Sequence, residues 1–496
     1  MGFEMMAPLM FAGLVVFLLL GYPVAFSLAA NGLLFAIVGI MHGALEPALL
    51  QALPERVLGI MANATLLAIP FFTFMGLILE RSGMAEDLLD TIGQVFGRIR
   101  GGVAYAVVFV GALLAATTGV VAASVLAMGL ISLPVMMRYG YSNRLSSGVI
   151  AASGTLAQII PPSLVLIVLA DQMGASVGDF YEGALFPGLA LAGAYALWVL
   201  IVSVVKPAAA PACPPEFRTH YGAALVVRVF TTMVPPLVLI FLVLGTIFLG
   251  VATPTEGGAM GATGAIAMAL VKRKLSWSLL KQALESTAEM TSFVMFILVG
   301  STVFSLVFRG VDGDLWVERL LTSVPGGALG FLIVVNALIF FLAFFLDYFE
   351  IAFIMVPLLT PVAQKLGIDI VWFGVLLAVN MQTSFLHPPF GFALFYLRSV
   401  APKSVKTMDI YWGAVPFVVI QVIMVAIIIA FPGVVTNNIS QAAGAIKGSG
   451  ADELQRQLGG PPAAPKAPAG KGAPTSEPPK TEDAGSELER LLKQQQ

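Results

Sequence analysis

The chain has 496 residues, of which 58% are hydrophobic and only 11% charged, and its mean hydropathy is +0.93. A soluble domain carries roughly 25% charged residues and under half apolar ones, so this much apolar surface requires lipid as the solvent. One cysteine, Cys213, excludes an internal disulfide, an iron–sulfur cluster and a multi-cysteine zinc site, and three histidines argue against a transition-metal centre.

The first apolar run, in MGFEMMAPLMFAGLVVFLLLGYPVAF, follows no basic leader and no convincing cleavage site, and reads as a retained span. Runs long enough to cross a bilayer are predicted near 7–20, 23–40, 57–80, 145–172 and 183–205, then near 229–249, 254–271, 285–308, 371–398 and 410–431. Two others, about 102–138 and 328–366, are each two short spans long with a break in the middle, at Thr117-Thr118-Gly119 and at Asp347-Tyr348-Phe349-Glu350. A re-entrant helical hairpin fits that pattern; two full spans joined by a tight turn is the alternative. The segment 82–98 alternates polar and apolar residues at helical spacing and reads as a helix lying along the interface. Glu256, beside Thr253-Pro254-Thr255, reads as a helix cap. From about 437 the composition turns to Ala, Pro, Gly, Lys and Glu, the signature of a disordered tail.

With the hairpins not crossing, short segments on one side hold 15 Lys and Arg and those on the other hold 4, the tail carrying the remaining 7. That bias predicts both termini outside the cytoplasm. Either reading of the hairpins leaves the same loops on the same sides.

The halves echo each other. Pro161-Pro162 recurs as Pro388-Pro389 and Pro134 as Pro361, both 227 residues on; Arg81 pairs with Arg309 at 228, and Gly101-Gly102 with Gly326-Gly327 at 225. Pro23 pairs with Pro254 at 231 and Tyr181-x-Gly183 with Tyr411-x-Gly413 at 230. An odd number of crossings per half turns the second copy upside down, so the expected fold is an all-α polytopic membrane protein of two inverted repeats. Each repeat holds a re-entrant hairpin and a broken helix. The boundaries are 1–208, a linker 209–228, 229–436, and a tail 437–496, with broken helices at about 145–172 and 371–398.

The breaks read Thr155 to Ser163, TLAQIIPPS, and Met381 to Pro389, MQTSFLHPP. A double proline removes two amide donors and unwinds the helix, and carbonyls freed in lipid must be buried or line a polar cavity. Carbonyls with Thr and Ser hydroxyls suit a hard cation such as sodium, and half-helix N-termini favour an anion. A pair of kinks that merely shape packing is the plainer alternative. Asp347 and Glu350 are acids inside an apolar stretch, facing a polar cavity or sitting in a solvated loop. His387 is placed either to touch substrate or to donate to a carbonyl. No catalytic set and no phosphate loop is present, so an enzyme is not expected.

GYPVAF, IPFFTFMG, the IIPPS break with its HPP counterpart, and GVATPTEGG together resemble the large, DctM-like permease subunit of tripartite ATP-independent periplasmic (TRAP) transporters, over roughly 5–436. The resemblance implies sodium-coupled uptake of a small organic anion, a carboxylate such as a 2-oxo acid or similar monocarboxylate, by an elevator motion across the bacterial inner membrane. It implies a small membrane subunit and a periplasmic solute-binding protein as partners, with no cofactor beyond the coupling ion and no nucleic acid. Carried across, one sodium site joins Thr117, Thr118 and Gly119 to Ala157, Ile160 and Pro162. The other joins Asp347 to Thr383, Ser384, His387 and Pro389. The substrate cavity would involve Thr118, Ser163, Glu350 and His387. The DYFE segment and the HPP break depart from the family pattern at the second site. Rival functions are a single-component cation/carboxylate symporter, and more remotely an ion channel or intramembrane enzyme.

Overall fold

The computed structural model describes residues 5–214, 216, 222–437 and 439, and the tail expected from 437 onward lies outside them apart from 437 and 439. All the described residues in regular elements are helical. In the first half the order is α1 (Met6–Leu19), α2 (Val24–Met41), α3 (Leu53–Met61), α4 (Ala68–Arg81) and α5 (Met84–Phe96). Then come α6 (Gly102–Thr118), α7 (Val121–Arg138), α8 (Asn143–Thr155), α9 (Leu164–Met173) and α10 (Val177–Val205).

The second half repeats that order with α11 (Gly222–Phe248), α12 (Pro254–Val271), α13 (Trp277–Gly310), α14 (Gly313–Thr322) and α15 (Gly327–Leu342). After these come α16 (Tyr348–Ile354), α17 (Val356–Lys365), α18 (Ile370–Met381), α19 (Phe392–Val400), α20 (Thr407–Ala430) and the single turn α21 (Gly433–Thr436).

Among the described residues, α2, α7, α10, α11, α13 and α20 are each long and apolar enough to cross a membrane alone. Of the remaining expected spans, α12 is full length but rich in glycine and small residues, and the others are short or interrupted; a half-length helix needs partners because its end groups cannot be satisfied by lipid. The single span expected over 57–80 is in fact two helices. Asn63 breaks it, because its side-chain oxygen accepts from the Thr65 amide at 2.9 Å while its amide donates to Asp171 Oδ1 at 2.6 Å. The turn is tied further by the Thr255 hydroxyl donating to the Ala64 carbonyl at 2.6 Å. A short polar side chain that bonds its own backbone offers the chain an alternative to helix. The segment Leu53–Met61 thus becomes a separate helix with no buried residue.

The amphipathic segment is helical as its spacing predicts. It buries Met84, Leu88, Leu89 and Ile92 and turns Asp87 and Asp90 outward to Lys272 (3.7 Å) and Arg228 (2.7 Å). Its counterpart α14 is tethered to α17 by the Glu318–Lys365 ion pair. Glu256 caps α12, exchanging backbone and side-chain hydrogen bonds with Thr253.

Helices of the two halves pack against each other in exchanged pairs. α12 lies on α4 and α13 on α2; α20 lies on α8 and α10 on α18; α19 lies on α7 and α17 on α9. In each pairing the members swap halves, as two copies related by a two-fold axis would. The α8–α20 crossing is backbone on backbone: a Cβ built on Gly413 would stand 2.2 Å from the Arg144 carbonyl oxygen, and one on Gly148 would stand 2.0 Å from the Gly413 carbonyl oxygen. Close approach through glycine is how membrane helices gain contact where water supplies no hydrophobic drive.

Gly413→Ala is expected to cost about 2 kcal/mol or more, because neither backbone can yield. Gly193→Ala in α10, where an added methyl meets nothing within 4 Å, should stabilise by up to about 1 kcal/mol. Thermal unfolding of both variants in detergent tests the contrast; equal midpoints would show that the crossing is not tight.

Candidate functional site

The first hairpin turns at Gly119, whose φ of +59° is the left-handed conformation a glycine adopts without strain. Its neighbour across the gap is Leu164, the first residue of α9, only 3.2 Å from a Cβ built there. The first break therefore sits under the first hairpin's tip. There α8 passes through a tight turn, Leu156–Gln158, before the chain unwinds over 159–163. The second break is built alike, with a tight turn over Gln382–Phe385 and α19 starting at Phe392. Both Pro-Pro bonds are cis.

Each break is closed by its own polar clasps. The Ser163 hydroxyl donates to the Gln158 carbonyl at 2.7 Å and accepts from the Leu166 amide at 3.4 Å, bridging the gap and capping α9. The Tyr181 hydroxyl donates to the Ser163 carbonyl at 3.3 Å, and the Tyr411 hydroxyl to the Pro389 carbonyl, also at 3.3 Å. The repeated Tyr-x-Gly is thereby explained: its tyrosine holds a freed carbonyl of the break. Its glycine, Gly183 or Gly413, lets α10 or α20 lie against the broken helix of the other half.

Polar groups also join the halves. Gln382 Nε2 donates to the Thr155 hydroxyl at 3.0 Å, and these two positions are 227 apart, the repeat spacing. Asn380 Nδ2 reaches the Asn336 carbonyl and side-chain oxygen at 2.8 and 2.9 Å, fastening α18 to the second hairpin.

The second hairpin's tip is ordered by its own acids. Asp347 Oδ1 accepts from the Glu350 amide at 2.7 Å and Glu350 Oε2 from the Asp347 amide at 2.8 Å, a reciprocal cap that starts α16.

One cavity of about 200 Å³ gathers these parts. Its wall comes from the first tip (Gly119, Val120, Val121, Ala122), the first break (Gln158, Leu164), the second tip (Asp347, Phe349) and the second break (Phe385, Phe392, Tyr396), with Met290 and Phe293 of α13. No Arg or Lys is among these residues. Four helix N-termini contribute to the wall instead, those of α7, α9, α16 and α19, and no side chain caps the first turn of α7 or α19. Unpaired amide donors of a first helical turn are a seat for an anion.

Of the residues singled out in the sequence, Gly119 and Asp347 line this cavity. The Thr117 and Thr118 side chains lie outside the described residues. Ala157, Ile160 and Pro162 are buried beside it in the first break. Ser163 is occupied bridging that break, and Glu350 is turned back to its cap. Thr383 donates to the Asn380 carbonyl at 2.7 Å, while the Ser384 hydroxyl is buried without a partner among the described residues. His387 does not line the cavity. Its ring is stacked on Phe344 with centroids 4.2 Å apart and meets Phe340 edge-on at 4.4 Å. Sequence reasoning missed Gln158, Phe349, Phe385, Phe392 and Tyr396. The signal was available, since Gln158 and Phe385 are one repeat spacing apart.

A model of the family described as tripartite ATP-independent periplasmic transporter, DctM component, matches residues 11–434. The C4-dicarboxylate TRAP transporter large permease protein DctM of Pseudomonas aeruginosa is 31% identical over 371 residues, covering 75% of this chain and 85% of that protein. The sialic acid TRAP transporter large permease protein SiaM of Vibrio cholerae is 28% identical over 413 residues, covering 83% of this chain and 93% of that one. Among solved structures, the Alcanivorax borkumensis YdaH transporter, whose topology is described as unusual, aligns with a TM-score of 0.57 at 15% identity. It covers 78% of this chain and 90% of that chain, a likeness of fold.

Asp347→Ala removes the cap of α16, worth about 1 kcal/mol. Amide hydrogen exchange of Tyr348–Ile354 is expected to speed up about fivefold, the same free energy read as a rate ratio. Unchanged exchange would mean that the tip is held by its packing alone.

Proposed function

The chain belongs to the family of the DctM component of tripartite ATP-independent periplasmic transporters, and we propose that it carries a small organic carboxylate across the bacterial inner membrane, coupled to sodium, by an elevator motion. It is a multi-pass transporter subunit and not an enzyme. The observation that carries the proposal is the meeting of two hairpin tips and two unwound breaks on one cavity whose only charged wall residue is an acid. An anion there is held by helix-terminal amides and by a co-bound cation, so binding one without the other is unfavourable; that interdependence is the physical basis of coupling.

The first sodium ion would take backbone oxygens of the first tip (Thr117, Thr118, Gly119) and of the first break (Ala157, Ile160, Pro162). The second would lie near Asp347 with Thr383, Ser384, His387 and Pro389, a reading supported by the unpartnered Ser384 hydroxyl. Two sodium ions moving with a monovalent anion carry a net +1 inward, worth about 2.3 kcal/mol per 100 mV of membrane potential. The substrate, of the 2-oxo acid or a similar monocarboxylate class, would be delivered by a periplasmic binding protein, and a small membrane subunit would complete the complex. Both termini would face the periplasm. The relatives named for C4-dicarboxylates and for sialic acid support an organic acid as the cargo class.

Proteoliposomes holding the chain with its small subunit and binding protein should accumulate labelled acid only under an inward sodium gradient. Equal uptake with potassium in place of sodium would defeat the coupling. Ser384→Leu and Thr118→Leu should each lower uptake about tenfold or more without altering membrane insertion, the first by losing an ion ligand and the second by crowding the ion site with a bulky side chain; full activity in both would remove the ion-site assignment.

A further inference from the structure

The wall of the central cavity is made from corresponding positions of the two halves, yet the residues there are unlike. Val120 precedes Asp347, Ala122 precedes Phe349 and Gln158 precedes Phe385, each by 227 positions, and Leu164 precedes Phe392 by 228. A cavity astride two matching halves would by default be even-handed, and these substitutions make it one-sided.

The first half contributes Gly119, the aliphatic Val120, Val121, Ala122 and Leu164, and one polar side chain, Gln158, but no ring. Val120 and Ala122 leave the first-turn amides of α7 without a covering side-chain cap. Gln158, only 3% exposed, presents a side-chain oxygen that has no partner among the described residues. Because oxygen and nitrogen of a glutamine amide exchange by a simple flip, this group can meet either a donor or an acceptor. The second half contributes the rings, together with the acid Asp347, whose charge would turn a carboxylate toward the other side. Phe385 and Phe392 stand 6.4 Å apart at 59°, Phe349 lines the same cavity, and Tyr396 follows Phe392 by one helical turn. The volume, about 200 Å³, equals roughly six or seven waters at about 30 Å³ each, close to one ring with a short acid arm.

We propose that the substrate is a monocarboxylate borne on an aromatic ring. Its carboxylate is received at the first tip and first break, and its ring lies among Phe349, Phe385 and Phe392. A second carboxylate or a polyhydroxylated body would be pressed against these rings, losing water without gaining donors. The inference rests on the reading of this cavity as the substrate site, and it sets the chain apart from the relatives named for C4-dicarboxylates and sialic acid.

The test is calorimetric titration of the purified full-length chain, in saturating sodium chloride, with phenylpyruvate, pyruvate and succinate. Phenylpyruvate should bind at least about tenfold tighter than either of the others, the discrimination one buried apolar group supplies. The double variant Phe349→Ala, Phe385→Gln copies the first-half residues into the second half. It should weaken phenylpyruvate about tenfold or more and pyruvate less than about threefold. Succinate binding as tightly as phenylpyruvate, or the variant weakening both monocarboxylates alike, would overturn the proposal while leaving a carboxylate site in place. If none of the three acids binds, the cavity assignment fails with it. The comparison of the three acids on the unaltered chain decides the matter even if the double variant does not fold.

Discussion

In a medium without water, each backbone amide and carbonyl must find its partner within the protein, and two helices broken by double prolines place that demand at the centre of this molecule. Each other feature of the core answers it. Ser163 spans the first gap with its hydroxyl, Tyr181 and Tyr411 take carbonyls of the two breaks, and hairpin tips are brought down beside the unwound segments. One unpaired group of the first break, the Gln158 side-chain oxygen, and the uncapped first turns of α7 and α19 meet at one cavity. A cavity walled by hairpin tips, breaks and helix starts is the residue of that accounting.

The same constraint shapes how the halves meet. Since apolar contact alone distinguishes poorly between helix neighbours and lipid tails, specificity comes from close backbone approach and from buried polar pairs. Gly148 and Gly413 supply the first at the α8–α20 crossing, and Thr155 with Gln382 and Asn336 with Asn380 supply the second. In the second half an Asn–Asn pair joins hairpin to broken helix. At the matching place in the first half Gly111 lies directly against Ser153, so that a Cβ there would be 2.5 Å from the serine Cβ. The two halves thus solve one packing problem by different means, hydrogen bonding in one and sheer proximity in the other. That divergence parallels the unlike residues that the two halves contribute to the cavity wall.

Acids inside an apolar stretch invite a catalytic or ion-binding reading, and the structure gives them a more local task as well. Asp347 and Glu350 cap each other's backbone, so the tip of the second hairpin is a formed helix start rather than a loose loop. Asp347 still lines the cavity, while Glu350 spends its carboxylate on the cap. His387 is similarly withdrawn, its ring held between Phe340 and Phe344. Polar residues next to a site divide into those that face it and those that build the elements facing it, and linear sequence does not separate the two.

What the residues by themselves determined is the set of properties that depend on local order: apolar length, prolines that interrupt helices, a glycine at a hairpin turn, the amphipathic spacing of Met84–Phe96, and a spacing of about 227 between matching motifs. These follow from backbone chemistry and periodicity, which act over a few residues or recur by duplication. The break at Asn63 escaped that reading because its partner, Asp171, lies 108 positions away. The cavity wall escaped for the same reason: Phe293, Phe349, Phe385 and Phe392 look like ordinary lipid-facing or core phenylalanines until folding sets them around one space. Only tertiary structure decided which polar atoms were consumed in closing the breaks and which remained to meet a ligand, because hydrogen-bond satisfaction is settled between segments and not within them.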